Sequence, residues 1–298
     1  MWNREVNQEL DLRFKPSFIT DEVSQDLNEV REFAQSFKID AIEIRTILDK
    51  GFPEILSEKN ALKGFLQDND LKVCAIASPT FKCDIDSAEE YDKHLNIFRS
   101  AVELAGHVDT RLVRAFTFWK KGRYEDFKKR IIEKFWRIVD MAEEHSVTII
   151  VENEPSTFVG NGRVLADFIN SLGARCVRAL WDPGNELMDE EGEEPYPTGF
   201  NYVRNLIAHV HIKDGVKEGS EVRFLRVGDG QAKIEENLRA LKENMYDGYV
   251  SLETHWRVTR SIEESLLKTP GGKEFSSGAY AASYISMQGL LNVISKIG

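Results

Sequence analysis

The chain has 298 residues, 42% hydrophobic and 30% charged, with a formal net charge of −11. This is a globular composition, and its acidic balance argues against a nucleic-acid backbone or an anionic membrane as partner. No stretch approaches the ~18 apolar residues of a membrane span, and the opening residues lack the apolar core of a secretion signal. The three cysteines, Cys74, Cys83 and Cys176, lack metal-motif spacing, so free thiols in a reducing cytoplasm are expected.

A polar lead-in occupies residues 1–15. Residues 17–23 read as a first strand, and Ser24 or Asp26 can cap a helix over 27–37, where Leu27, Val30, Phe33, Ala34 and Phe37 recur at helical spacing. Strands then follow at 41–47, 72–79, 111–119, 148–154, 177–183, 207–213 and 249–255. Helices fall between them near 54–68, 87–105, 124–145, 162–172, 198–206 and 232–244, and a last one covers 277–296. Strands separated by helices run parallel, and eight such units close into a (β/α)8 TIM barrel with its chemistry at the carboxyl ends of the strands. An open doubly wound sheet would want a glycine-rich turn after an early strand, and Ser24-Gln25-Asp26 is not one. The expectation is one barrel domain over 1–298, with 257–298 forming a loop and final helix. The acid-rich segment 186–197 reads as a solvated flap at the mouth. Residues 257–276, which include Arg257, Arg260 and Lys268, are either an ordinary surface excursion or a contact for substrate or for the second subunit of a homo-oligomer.

The strand at 207–213 alternates, with Ala208, Val210 and Ile212 on one side and His209, His211 and Lys213 on the other. Two imidazoles and an ammonium on the face of a buried strand are costly unless something uses them. Three other strands end in Glu152, Asp182 and Glu253. Convergence in a barrel would bring these carboxylates to His211. Two carboxylates about 4 Å apart repel by roughly 4 kcal/mol at an effective dielectric of 20. One divalent ion removes that problem, and three carboxylates with one imidazole suit Mn, Mg, Co or Zn.

Several stretches together resemble the sugar-phosphate isomerase/epimerase family, which has the xylose isomerase-like barrel. They are Val-Glu-Asn at 151–153, Trp-Asp-Pro-Gly-Asn at 181–185, His-Val-His-Ile-Lys-Asp at 209–214, Val-Gly-Asp-Gly at 227–230 and Ser-Leu-Glu at 251–253. The resemblance implies that Glu152, Asp182, His211 and Glu253 bind one divalent metal, and that Glu152 and Glu253 act as acid and base. The ketose epimerases of that family place a histidine three residues after the strand-six aspartate, where this chain has Asn185. The related abasic-site endonucleases use many histidines for three zincs. This chain has six histidines, and His94, His107 and His145 fall on helices or their ends, so no nucleic-acid role is expected.

Around the four, His209 reads as a hydrogen-bonded interior histidine. Lys213 is placed to hold a substrate oxyanion or to neutralise a carboxylate, and His255 to contact substrate at the mouth. Glu43 and Arg45 share a face of strand two, as an internal ion pair or as sugar-hydroxyl ligands, and Arg114 on strand four is a similar case. Trp119 and Trp256 could wall a sugar ring, while Trp181 reads as core. The function expected is a metal-dependent isomerase or epimerase of a small sugar or related carbonyl compound, working through an enediolate. The alternatives are a dehydratase on a keto-cyclitol in the same pocket and a non-catalytic sugar-binding barrel.

Overall fold

Short buried strands alternate with amphipathic helices along the whole described chain. The structure is a computed structural model, and it describes residues 13–219, 221–259 and 261–298. Most of the lead-in, and Arg260, lie outside the described residues. The strands are β1 (Lys15–Phe18), β2 (Ala41–Ile44), β3 (Lys72–Thr80), β4 (Leu112–Ala115), β5 (Thr148–Glu152), β6 (Val177–Trp181), β7 (Ile207–Ile212), β8 (Asp214–Glu218), β9 (Glu221–Leu225) and β10 (Tyr249–Leu252). The helices are α1 (Leu27–Phe37), α2 (Lys59–Asp68), α3 (Ala88–His107), α4 (Tyr124–Glu144), α5 (Gly162–Leu172), α6 (Pro183–Met188), α7 (Phe200–Val203), α8 (Ile234–Glu243), α9 (Glu264–Lys268), α10 (Gly272–Ser276) and α11 (Ala279–Ile297).

Eight strands pair in the order β1-β10-β7-β6-β5-β4-β3-β2, all parallel. The ring is nearly closed, since β1 and β2 meet through the single bridge Ile19–Glu43. It is a xylose isomerase-like TIM barrel. The main core lies between sheet and helices. On α4, Ile131, Phe135, Ile138, Val139 and Ala142 recur at helical spacing and are all buried, each large side chain contributing about 1.5–3 kcal/mol of apolar transfer. Helix starts are set by side chains: Ser87 accepts the Glu90 N–H before α3, and Asn161 accepts the Val164 N–H before α5.

Several elements differ from the sequence reading. The first strand ends at Phe18 and gives way to a 3-10 turn, Thr20–Glu22, because the carboxylates of Asp21 and Glu22 turn inward to Arg45. The fourth stops at Ala115, and Phe118 beyond it has φ 67°, incompatible with extended chain. The strand at 207–213 is followed directly by an unexpected antiparallel hairpin, β8–β9. Asp214 pins its base, its carboxylate accepting N–H groups from Gly215, Gly228, Gly230 and Ala232. This explains why the Lys-Asp and Val-Gly-Asp-Gly stretches occur together. Nor is the segment at 186–197 fully solvated. Glu186 is buried and accepts N–H groups from Gly162 and Glu193, and Asp189 is buried against Asn161.

Candidate metal centre

Four strands deliver the central side chains to one end of the barrel. Glu152 is the last residue of β5, Asp182 follows β6, His211 lies near the end of β7, and Glu253 follows β10. All four are buried, and one ligand atom from each lies within 4.8 Å of the others. His211 Nδ1 is 3.6 Å from both Glu152 Oε1 and Glu253 Oε2.

Each member is held from outside the group. Arg114 donates to Glu152 Oε2 at 2.9 Å and Asn185 to Glu152 Oε1 at 3.0 Å. Arg45 donates to Glu253 Oε1 at 2.7 Å and Lys213 to Glu253 Oε2 at 2.6 Å. Asp182 Oδ1 caps α6, accepting the Gly184 and Asn185 N–H groups, while its Oδ2 faces only Lys213 Nζ, 3.0 Å away. Asn153 locks the β5 and β6 ends together by exchanging two hydrogen bonds with the Asp182 backbone. Below the group, His211 Nε2 donates to Glu43 at 3.0 and 3.1 Å, and His209 Nε2 lies 2.8 Å from the same carboxylate and 3.1 Å from Ser251 Oγ.

These contacts shift the titrations. Burial opposes the charge of Glu152, but Arg114 and His211 outweigh it and bring the pKa to about 2. Burial likewise opposes Glu253, and Lys213, His255 and His211 carry it well below the carboxylate range. Asp182 goes the other way, to about 6: burial raises it and Glu253 and Glu152 add to that, against Lys213. Burial disfavours a charged His211, yet Glu43 and Glu152 push its pKa well up, so without a metal the imidazole carries a proton between the carboxylates.

The donor set fits a divalent ion. Among the described residues, His211 Nδ1 and Asp182 Oδ2 are buried without a hydrogen bond, Oδ2 being only ion-paired with Lys213, although His211 Nε2 is fully engaged by Glu43. An imidazole whose far nitrogen is fixed by a carboxylate presents its near nitrogen as a metal ligand.

The model of the xylose isomerase-like TIM barrel family matches residues 31–271. The chain belongs to this family. An inosose dehydratase from Lacticaseibacillus casei is 25% identical over 224 residues, covering 66% of this chain and 73% of that one. Among solved structures, an IolI protein with a bound zinc atom superimposes with TM-score 0.74 at 19% identity, covering 96% and 99% of the two chains. D-psicose 3-epimerase from Clostridium cellulolyticum H10, solved with D-tagatose, gives 0.66 at 17% identity, covering 93% and 99%. At these identities the structural likenesses carry the barrel fold.

In this family member the expected neighbours are distributed unequally. Arg45, Arg114, Asn185 and Lys213 all touch the four central residues. His255 stands beside them, its Nδ1 2.9 Å from Glu22 Oε1 and 3.9 Å from Glu253 Oε1. Glu43 is corrected: it does not pair with Arg45 or face the mouth, but lies beneath His211 and engages both histidines. Arg45 pairs instead with Asp21 and Glu22, at 2.9 Å each, and with Glu253. Trp256 is half-buried, and its Nε1 donates to Ser286 on α11 at 2.7 Å. Trp119 lines a cavity of about 630 Å3 with Lys120, Pro155, Ser156, Met188 and Lys268. Behind it, Lys82 donates to Glu154 Oε2 and to the Lys268 carbonyl, both at 2.9 Å.

Asp21 and Glu22 were missed by the sequence reading. They obey the rule that found Glu152, acids just past a strand, but the first strand had been drawn through them. Residues 268–276 lie across the mouth. Gly272 N–H donates to Thr46 Oγ1, Ser276 Oγ donates to the Asp21 carbonyl, and the Phe275 ring lies 4.9 Å from both the Arg45 and the Arg257 guanidinium carbons. Among the described residues no helix is long and apolar enough to cross a membrane.

Proposed function

We propose that the chain is a metal-dependent isomerase or epimerase of a small sugar or related polyhydroxylated carbonyl compound, with Glu152 and Glu253 as proton carriers. The observation that carries this reading is the buried convergence of three carboxylates and an imidazole whose Nδ1, 3.6 Å from two of them, makes no hydrogen bond among the described residues. A divalent ion held by Glu152, Asp182, His211 and Glu253 supplies Lewis acidity towards a carbonyl and its adjacent hydroxyl, making the intervening C–H more acidic.

Glu152 and Glu253 come from β5 and β10, with β6 and β7 between them, so they reach a substrate from two sides. Their neighbouring cations keep both ionised near neutral pH, as a base requires. One takes the proton from the carbon beside the carbonyl. The other, itself ionised, would take a proton from solvent and pass it on, to the opposite face of that carbon in an epimerisation or to the neighbouring carbon in an isomerisation, while the first releases its proton to solvent. Arg114 and Asn185 orient the first carboxylate and Arg45 the second.

The inosose dehydratase relative favours a second reading, a lyase on a keto-cyclitol. The first proton removal is the same, after which a β-hydroxyl leaves as water. The test is an NMR screen of ketoses, aldoses and keto-inositols in heavy water with Mn, Mg, Co or Zn. Solvent deuterium at the carbon beside the carbonyl supports the first reading, and an unsaturated dehydrated product supports the second. Binding of these compounds with no exchange at any metal would leave a non-catalytic sugar-binding barrel.

A further inference from the structure

Three cations touch the four central residues, and they are anchored very differently. Arg45 holds Glu253 Oε1 but also Asp21 and Glu22. Arg114 holds Glu152 Oε2 but also the carbonyls of Ala77 and Ser78, at 2.9 and 3.3 Å. Removing either from its carboxylate would strand a guanidinium still tied to other groups. Lys213 is the exception. Among the described residues its ammonium is hydrogen-bonded or ion-paired only with Glu253 Oε2 and Asp182 Oδ2, at 2.6 and 3.0 Å.

Those two oxygens are the ones a metal ion needs. Asp182 Oδ1 is committed to the Gly184 and Asn185 N–H groups, which leaves Oδ2. Each oxygen of Glu253 already accepts from a cation, Arg45 being the one fixed elsewhere, so a divalent ion at Oε2 would meet the Lys213 ammonium 2.6 Å from that oxygen and be repelled by it. The stem of Lys213 has no freedom on its inner side: a Cβ at Gly184 would stand 2.5 Å from Lys213 Cγ. Movement is left to the end of the chain, on the side of Glu154, the next carboxylate outward and one whose field the ammonium already feels.

We propose that Lys213 is a displaceable counter-ion of the metal centre, which leaves Asp182 and Glu253 when a divalent ion binds and only then is free to meet a substrate oxygen. The inference rests on the reading that Glu152, Asp182, His211 and Glu253 hold a metal. It turns the lysine from a fixed substrate ligand into a switch. Without metal it neutralises the carboxylates and is unavailable to substrate, and with metal it becomes an anchor. By linkage, a ligand that engages the freed ammonium must tighten metal binding by the factor by which metal tightens the ligand.

The test is a Mn2+ titration followed by the EPR signal of the free ion, on wild type, Lys213→Met, Lys213→Gln and, as a control for general charge, Lys59→Met on the outer face. The two Lys213 variants are expected to bind Mn2+ at least tenfold tighter than wild type, and Lys59→Met within twofold of it. Equal or weaker binding by both Lys213 variants overturns the proposal while leaving the metal centre standing. Failure of wild type and variants alike to bind Mn2+ overturns both. A second measurement reads wild type directly: 15N NMR of the lysine ammonium groups, with Lys213 assigned by the signal missing in the conservative variant Lys213→Arg. The slowly exchanging Lys213 signal of metal-free protein is expected to move or vanish on adding Zn2+. If it persists unchanged in zinc-loaded protein, the ammonium has not been displaced and the proposal falls.

Discussion

Glu43 controls the centre without touching what it would bind. Its carboxylate accepts from His211 Nε2, which leaves Nδ1 as the free nitrogen, and it also holds His209. Glu43→Gln keeps the volume but removes one acceptor oxygen and the charge. Metal affinity should fall by about 10–100-fold, as loss of such an outer partner commonly does, with the fold retained. Calorimetric metal titration checks this, and unchanged affinity would show that packing alone orients His211. Glu152→Gln and Glu253→Gln should each abolish deuterium exchange into substrate while some metal binding survives. Away from the site, His94 on α3 accepts the Phe81 N–H at 2.9 Å through Nδ1 and is buried. Burial, with Lys93 nearby, lowers its pKa from 6.5 to about 4. The unfolded chain therefore binds this proton first as pH falls, so its contribution to stability is present above about pH 6.5 and is lost towards pH 4. At 1.36 kcal/mol per pH unit that amounts to roughly 3 kcal/mol at most. In denaturant titrations His94→Leu should be less stable than wild type at pH 7, with the gap closing by pH 4.5.

At the level of elements, the link between α6 and the centre is Asp182. One of its oxygens caps the helix and the other faces inward. The two jobs can be separated. Asp182→Asn retains a capping oxygen and should lose chiefly metal affinity, partly rescued by excess metal. Asp182→Ala loses the cap as well and should be about 1 kcal/mol less stable than the Asn variant, measured by thermal unfolding without metal. The mouth-crossing segment with α9 and α10 belongs to the same scale. It touches the β1 and β2 ends through hydrogen bonds donated by Gly272 and Ser276 and the β3 end through the Lys268 carbonyl, which accepts from Lys82; Phe275 of α10 is buried, and no residue of α9 is. Without a buried residue α9 has a low free energy of local opening, so its amides should exchange faster than those of the barrel strands.

For the molecule as a whole, the barrel keeps a crowd of like charges at one end. Asp21, Glu22, Glu43, Glu152, Asp182 and Glu253 are all buried, against Arg45, Arg114 and Lys213. A divalent ion binding only the folded state should stabilise it by about 2.7 kcal/mol at a hundred times Kd. The unfolding midpoint should therefore rise by several degrees with added metal and fall with chelator. No metal-dependent shift would count against the centre. The net charge of −11 bears on a different partner. Low-salt gel shifts with abasic-site DNA should show neither binding nor cleavage, and sub-micromolar binding would contradict this.

The eight strand–helix repeats, the identity of the four central residues and their common end of the barrel were all legible in the sequence. Period-two and helical spacing are local properties, and parallel closure puts every strand's carboxyl end on one face. Asn185 and Lys213 were also within reach, because each lies within three residues of a central ligand. What the sequence could not decide is which partner each charge takes. Glu43 and Arg45 share a strand face, yet one points to His211 and the other to Asp21, Glu22 and Glu253, from segments more than 20 and 200 residues away. The burial of Glu186, the hairpin after β7 and the course of 268–276 across the mouth are likewise tertiary. An acid-rich or glycine-rich loop looks the same locally whether water or a folded neighbour satisfies its polar groups, and only the closed barrel supplies those neighbours.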